Sequence, residues 1–484
     1  MSHNFQIIQG GMGVGVSSCT LARTVSKRGQ LGVISGTGIA TCLARRLQDG
    51  DPTGDLRRAI AAFPLPAVAQ RMLNKYFVPN GIAPGAPYKL APMPTINFSD
   101  GLNELTVLGA FVEVWLAKEG HTGVVGMNLL EKIQTPTLAS LYGAMLADVD
   151  YILMGAGIPR FIPGALDNLA AGKPAEYRID VEGAPSNEPY MSRFDPVAFA
   201  GDAPLPSVKR PKFLAIISSA TLALTLARKS NGKVDGFIVE GPIAGGHNAP
   251  PRGQVQLNDR GEPIYGPRDV PDLEAIKDIG LPFYLAGGYA TPDQLAAARA
   301  TGASGVQIGT AFAFCNESGM DPDLKAQIIT RALNDEARVF TDPKASPTGF
   351  PFKVLETPGT MSEQAVYEGR TRICDQGYLR RAYKKEDGTI GYRCAAEPID
   401  DYLKKGGTAE EAAGRKCLCN GLLATIGLGQ TNAAGVTEIP ILTAGDEVAL
   451  LKRYLKPGAT SYSANDVLDY ILAPVAASQT ASVT

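Results

Sequence analysis

The sequence predicts an α/β fold, a TIM (β/α)8 barrel, because short apolar β-rich runs alternate with longer amphipathic stretches. Two further observations point the same way. About eight strand-and-helix pairs fit within the first three hundred or so residues, and several strands run directly into glycine.

The first strand reads Phe5–Gln9, followed by the turn Gly10-Gly11-Met12-Gly13 and a helix beginning near Ser17. Leu31–Ser35 is the second, with Gly36-Thr37-Gly38 leading into another helix. The rhythm then breaks over about 50–100, a Pro-, Ala- and Gly-rich insertion. It resumes at Val124–Leu129, a helix from Pro136 to Ala147, and Tyr151–Met154 ending in Gly155-Ala156-Gly157. A second insertion, about 161–210, suits a helix and a hairpin. Next come Phe213–Ile217, the helix Ala220–Lys229, Gly236–Glu240, and a long loop, Gly241–Asp269, that contains His247. Pro282–Ala286 precedes Gly287-Gly288, and the following helix has Thr291 as cap and Pro292 in its first turn. Gly305–Ile308 closes the series, running into Gly309-Thr310.

The expected organisation is a barrel over 1–315, carrying both insertions, and a mainly helical extension over 316–484 that packs on it. Asp321–Ala337 reads as helix, and Leu418–Gly429 as an apolar patch that must be buried.

Composition narrows the function classes. Lys plus Arg number 46 against 48 acidic residues, so the chain lacks the basic excess of a nucleic-acid or anionic-membrane binder. No run of eighteen apolar residues suggests a membrane span, and MSHNFQIIQG lacks the pattern of a secretory signal. A cytoplasmic location is the expectation, with a homodimer allowed. Seven scattered cysteines do not make a disulfide framework. Cys374, Cys394, Cys417 and Cys419 lack paired CxxC turns, so structural thiols and no metal are expected.

Ligands of such barrels bind at the carboxyl ends of the strands. Four glycine segments fall there: Gly10-Gly11-Met12-Gly13, Gly155-Ala156-Gly157, Gly287-Gly288 and Gly309-Thr310. The last two precede helices, whose free N–H groups suit a phosphate. One such pair is an ordinary turn; their agreement in position predicts a phosphate-bearing ligand. His247, after the strand ending at Glu240 and beside Gly245-Gly246, is the candidate for proton exchange. An isolated loop histidine is ordinarily a surface residue, and its place after a strand favours function. Asp148, Asp150 and Glu240 read as turn-capping or loop-supporting acids, Lys209-Arg210 and Lys212 as solvated surface, and Trp115 as packing.

Together Ile8-Gln9-Gly10-Gly11-Met12, Gly126-Met127-Asn128, Gly155 to Pro159, Glu240 to His247, Ala286-Gly287-Gly288 and Gln307 to Thr310 resemble the nitronate monooxygenase (2-nitropropane dioxygenase) family. The chain is also similar to related FMN-dependent enoyl reductases of fatty acid and polyketide synthesis. The resemblance covers roughly residues 5–315. It implies FMN as cofactor, contacted by Gly11, Met12 and Gly13, by Asn128 and by Gln307. Gly245, Gly246, Gly287, Gly288, Gly309 and Thr310 would surround its phosphate.

In a nitronate monooxygenase, His247 would position the nitronate, which is oxidised with O2 to a carbonyl compound and nitrite. In an enoyl reductase, NAD(P)H would supply the hydride, and the substrate would be an acyl thioester. The monooxygenase is the first expectation, a small-molecule reaction without nucleic acid or membrane. A non-catalytic scaffold binding a phosphate ligand is the third reading.

Overall fold

The computed structural model describes residues 5–185 and 187–475. Its central sheet contains β1 (Ile7–Gln9), β2 (Gly32–Ser35), β3 (Val125–Leu130), β4 (Tyr151–Gly155), β5 (Lys212–Ile217), β6 (Gly236–Glu240), β7 (Phe283–Ala286) and β8 (Gly305–Ile308). Neighbours pair in parallel, and β8 returns to β1 through Ile7↔Val306. The remaining seam closes where Ile8 bridges Leu31, with Gln9 N–H donating to Leu31 O at 2.9 Å. The fold is therefore a closed TIM barrel.

Two apolar layers hold it together, because successive side chains on a strand face opposite ways. Inside the barrel lie Ile8, Val33, Leu153, Leu214, Ile238 and Tyr284. Phe5 plugs this interior at the amino ends, stacked on Tyr284 at 5.3 Å and edge-on to Tyr151 at 5.4 Å. The outward strand residues, such as Ile7, Ile34, Met127, Ile152, Phe213 and Phe237, pack against helices. Burial of this kind contributes ~1.5–3 kcal/mol per large side chain.

The helices that follow the strands are α1 (Cys19–Lys27), α2 (Ile39–Gln48), α3 (Thr137–Leu146), α4 (Ile162–Ala170), α5 (Ala220–Lys229), α6 (Leu273–Lys277), α7 (Pro292–Ala300) and α8 (Thr310–Ala313). The helix expected near Ser17 starts two residues later, at Cys19, because Ser18 is its cap and accepts from Leu21 N–H at 3.2 Å. Thr291 caps α7 in the same way, with Pro292 in the first turn.

The first insertion holds two helices, Asp55–Ala61 and Pro66–Tyr76, and the second a hairpin, Ala175–Ile179 with Tyr190–Phe194. Asp100–Lys118 forms a long helix that the strand rhythm did not mark. It is apolar nearly all round and buried against α1, α2 and α3, so one-sided periodicity is weak. Trp115 lies on it, packed against the core.

Beyond residue 316, helices such as Pro322–Leu333, Leu418–Ala424 and Ala464–Ile471 alternate with two antiparallel pairs. The barrel's core cluster continues into Leu442, Val448, Leu451, Tyr454 and Tyr462. Tyr454 and Tyr462 donate hydroxyl protons to the carbonyls of Ala290 and Ala311 at 2.9 and 2.8 Å. Leu418, Leu423 and Leu428, in the apolar patch, are buried. Arg370 and Glu438 form a buried two-pronged ion pair at 2.6 and 2.5 Å. No helix among the described residues is long and apolar enough to cross a membrane.

Candidate functional site

At the carboxyl ends of the strands lies a cavity of 260 Å³. Gly11, Met12, Gly13, Asn128, Gly245, Gly246, His247, Gly287, Gly288, Gln307, Gly309 and Thr310 all line it. Gly155 and Ala156 line it too, at the end of β4. Residues distant in sequence are thus gathered by barrel closure.

The β1 turn is held by its neighbours. Gln9 donates to Gly10 O at 2.6 Å and Ser17 Oγ at 2.8 Å, while its Oε1 accepts from Val33 N–H at 3.0 Å. Ser17 Oγ also takes the Met12 N–H at 2.8 Å, so that amide is spent inside the turn. Gly11 is there because nothing larger fits: a Cβ would sit 2.1 Å from Asn128 Cβ. Asn128 in turn donates to Gly11 O at 3.2 Å. Gly287 adopts φ +86°, a conformation that other residues rarely take, and a Cβ would meet Ala244 N at 3.1 Å.

Two side-chain acceptors on the cavity wall, Asn128 Oδ1 and Gln307 Oε1, are buried without a hydrogen-bond partner. Leaving such a group unpaired costs ~1–3 kcal/mol. A bound ligand with N–H or O–H donors removes that cost.

The C-terminal region completes the site, which sequence reasoning missed. Thr443 Oγ1 accepts from Gly246 N–H at 2.8 Å, and Thr310 Oγ1 accepts from Gly445 N–H at 2.8 Å. Gly246 and Thr310 therefore line the cavity with these groups already engaged. Leu418, Cys419, Leu422 and Leu423 add an apolar wall. The apolar patch around Leu418 was the available signal; its destination was not readable.

His247 is fixed by the same region. Its Nε2 lies 2.7 Å from Ser346 Oγ, which lies 2.8 Å from Thr348 Oγ1. Phe352 packs edge-on at 4.9 Å, and Lys353 N–H donates to Gly246 O at 2.9 Å. Burial lowers the His247 pKa to about 4, so the ring is neutral at neutral pH. If Nε2–H donates to Ser346, Nδ1 carries the lone pair that accepts a proton.

Glu240 departs from its expected role as a capping acid. It lines the cavity at the end of β6, and no hydrogen bond or ion pair holds it among the described residues. Burial pushes its carboxyl up to about 7. Asp150 does support a loop, accepting from Val125 N–H at 2.9 Å, and Arg210 pairs with Asp167 at 2.9 Å. Among the described residues no group of three or more His, Cys, Asp or Glu is placed to hold a metal. Cys374, Cys394, Cys417 and Cys419 border one small cavity as free thiols, and burial raises each above the usual thiol range.

Residues 200–357 match the family model described as nitronate monooxygenase, and they include β5 to β8, Glu240, His247 and Gln307. That stretch is similar to the nitronate monooxygenase family. A probable nitronate monooxygenase of Staphylococcus haemolyticus is 29% identical over 183 residues, 37% of this chain and 48% of the relative. A nitronate monooxygenase of Paraburkholderia phytofirmans is 32% identical over 186 residues, 37% of this chain and 47% of the relative. The chain thus spans about half the length of the curated relatives it matches. FabK from Thermotoga maritima aligns over 97% of this chain and 92% of its own, at 17% identity and a TM-score of 0.48.

Proposed function

We propose that this protein is an FMN-dependent oxidoreductase of the nitronate monooxygenase type, converting alkyl nitronates and O2 to carbonyl compounds and nitrite. The observation that carries the reading is the cavity: glycine turns, two unpaired amide oxygens and a neutral, oriented histidine meet at the carboxyl end of a barrel. FMN, when bound, supplies the electron transfer. Asn128 and Gln307 suit its hydrogen-bond donors, and Gly287, Gly288 and the Gly309 turn leave room for its phosphate.

The chain's own residues then bind, orient and exclude water. His247, held by Ser346, positions the substrate and accepts a proton where a neutral nitroalkane is offered. Glu240 is a second proton-holding group facing the same space. Residues 316–484 act as an extension that completes the site, a reading supported by Thr443, Gly445 and Ser346.

A second reading, NAD(P)H-dependent reduction of an enoyl thioester, draws support from another cavity. It measures 410 Å³ and shares Tyr378 and Leu379 with the first, which is more space than a small nitronate uses. Anaerobic mixing separates the two. Bleaching of the flavin by a nitronate, with nitrite formed once oxygen returns, is expected; rapid bleaching by NADH or NADPH alone would favour the reductase. His247→Ala should keep FMN and lose ~100- to 10,000-fold in turnover.

A further inference from the structure

The 410 Å³ cavity lies between the inserted hairpin, the loop after β3 and the Arg381–Lys384 strand of the C-terminal region. Lys132, Arg178, Arg380 and Arg381 line it. Their charges are largely uncompensated. Among the described residues Arg178, Arg380 and Arg381 form no ion pair, and Lys132 approaches Glu131 only to 3.9 Å. Arg380 and Arg381 donate instead to the carbonyls of Pro94 and Pro347, at 2.8 and 3.3 Å.

Carboxylates also border the cavity, yet two of the three are already taken. Glu182 is bound by Arg393 at 2.7 Å and Glu188 by Lys384 at 2.6 Å. Asp180 accepts a long 3.4 Å contact from Gln134. The local field is therefore positive, although the whole chain carries a formal charge of -2. A concave site with several unpaired guanidinium groups suits an anion that takes forked hydrogen bonds, above all a phosphate.

We propose that this cleft is a phosphate-binding subsite, receiving the phosphorylated part of a ligand whose reactive end enters the cavity beside His247. The shared wall, Tyr378 and Leu379, places the two sites side by side. Two sources have this chemistry: the phosphates of a nicotinamide dinucleotide, and the phosphorylated arm of an acyl thioester. For the reactive end the inference rests on the second reading, the NAD(P)H-dependent one, since an alkyl nitronate carries no phosphate; the phosphate subsite itself rests on the arginines alone.

Calorimetric titration of the purified, FMN-supplemented protein with pyrophosphate, coenzyme A, NADP+ and NAD+ tests it. Saturable binding is expected for pyrophosphate and for at least one larger probe. Arg178→Ala and Arg381→Ala should each weaken it about tenfold, with Arg381→Lys retaining part of the affinity. Raising the salt from about 0.05 to about 0.5 M should also weaken binding, a readout that needs no variant. Coenzyme A as the responding probe identifies the thioester arm; preference for NADP+ over NAD+ identifies the dinucleotide. Failure of every probe to saturate at millimolar concentration, or equal affinity in the double Ala variant, would overturn the proposal. A colourless protein that still binds coenzyme A through these arginines would sink the flavin reading and leave the subsite standing.

Discussion

Replacing Gly11 with alanine would put a methyl carbon 2.1 Å from Asn128 Cβ, 2.9 Å from its Cγ and 3.1 Å from Val33 Cγ1. Ordinary carbon contacts lie near ~3.5 Å, so the turn or Asn128 must retreat by more than ~1 Å. Neither moves freely. Asn128 belongs to β3, paired on one side with Ser35 and on the other with Leu153. The Met12 amide is tied to Ser17. Overpacking of this kind costs ~1–3 kcal/mol, and FMN affinity should fall by about 5- to 150-fold if the cost falls on the loaded state. Flavin fluorescence titration gives the affinity, and thermal unfolding of the FMN-free protein shows how much of the cost is already present there. The double variant Gly11→Ala, Asn128→Gly removes the clashing carbon and should recover melting temperature relative to Gly11→Ala alone. Gly11→Ala that binds FMN within twofold of the parent and melts at the same temperature would refute the reasoning.

Other outcomes follow from named contacts. Ser346→Ala removes the hydroxyl against His247 Nε2, so steady-state kinetics should show lower kcat with little change in FMN affinity. Equal kcat would mean that the histidine is oriented by packing on Phe352 alone. Glu438→Gln leaves Arg370 buried without its partner carboxylate and should destabilise by ~3–5 kcal/mol, read from urea unfolding. The pH dependence of FMN-free stability should show two opposing groups. His247, lowered from 6.5 to about 4, binds its proton less readily folded than unfolded, so its contribution is lost as pH falls from 6.5 towards 4. Glu240, raised from 4.5 to about 7, stabilises the folded state below 4.5, and that contribution disappears as pH rises through 7. Between these limits the slopes offset, so Glu240→Gln should make stability fall more steeply with acid than in the parent. Urea unfolding at several pH values checks this, and parallel profiles would contradict it.

The barrel was legible because its information is local. Each strand is an apolar run ended by glycine, and β6 and β8 occupy the expected Gly236–Glu240 and Gly305–Ile308. Thr291 and Pro292 mark a helix start within two residues. The cavity residues were legible for the same reason, since a position at a strand end implies the carboxyl rim. Asp100–Lys118 escaped because burial on all sides erases its one-sided pattern.

What governs His247 was not legible. Ser346 and Phe352 meet it from a segment roughly a hundred residues away, without any period that announces the contact. Gly246 finds Thr443 across a still longer separation. Glu240 resembled a turn-capping acid by position, and only the absence of a partner in the folded cavity distinguishes it. The basic cleft depended on pairing as well: its cations are spread over three segments, and the sequence cannot say which carboxylates are already occupied.

The central claim is that the cavity holds FMN in a redox-active form, with nitronate as the reductant. Anaerobic mixing of purified, FMN-supplemented protein with an alkyl nitronate, followed in the visible flavin absorbance, tests it most directly. The account predicts a flavin spectrum that bleaches with the nitronate and returns with oxygen as nitrite appears. A protein that stays colourless after added FMN, or a bound flavin that no nitronate bleaches, would contradict it.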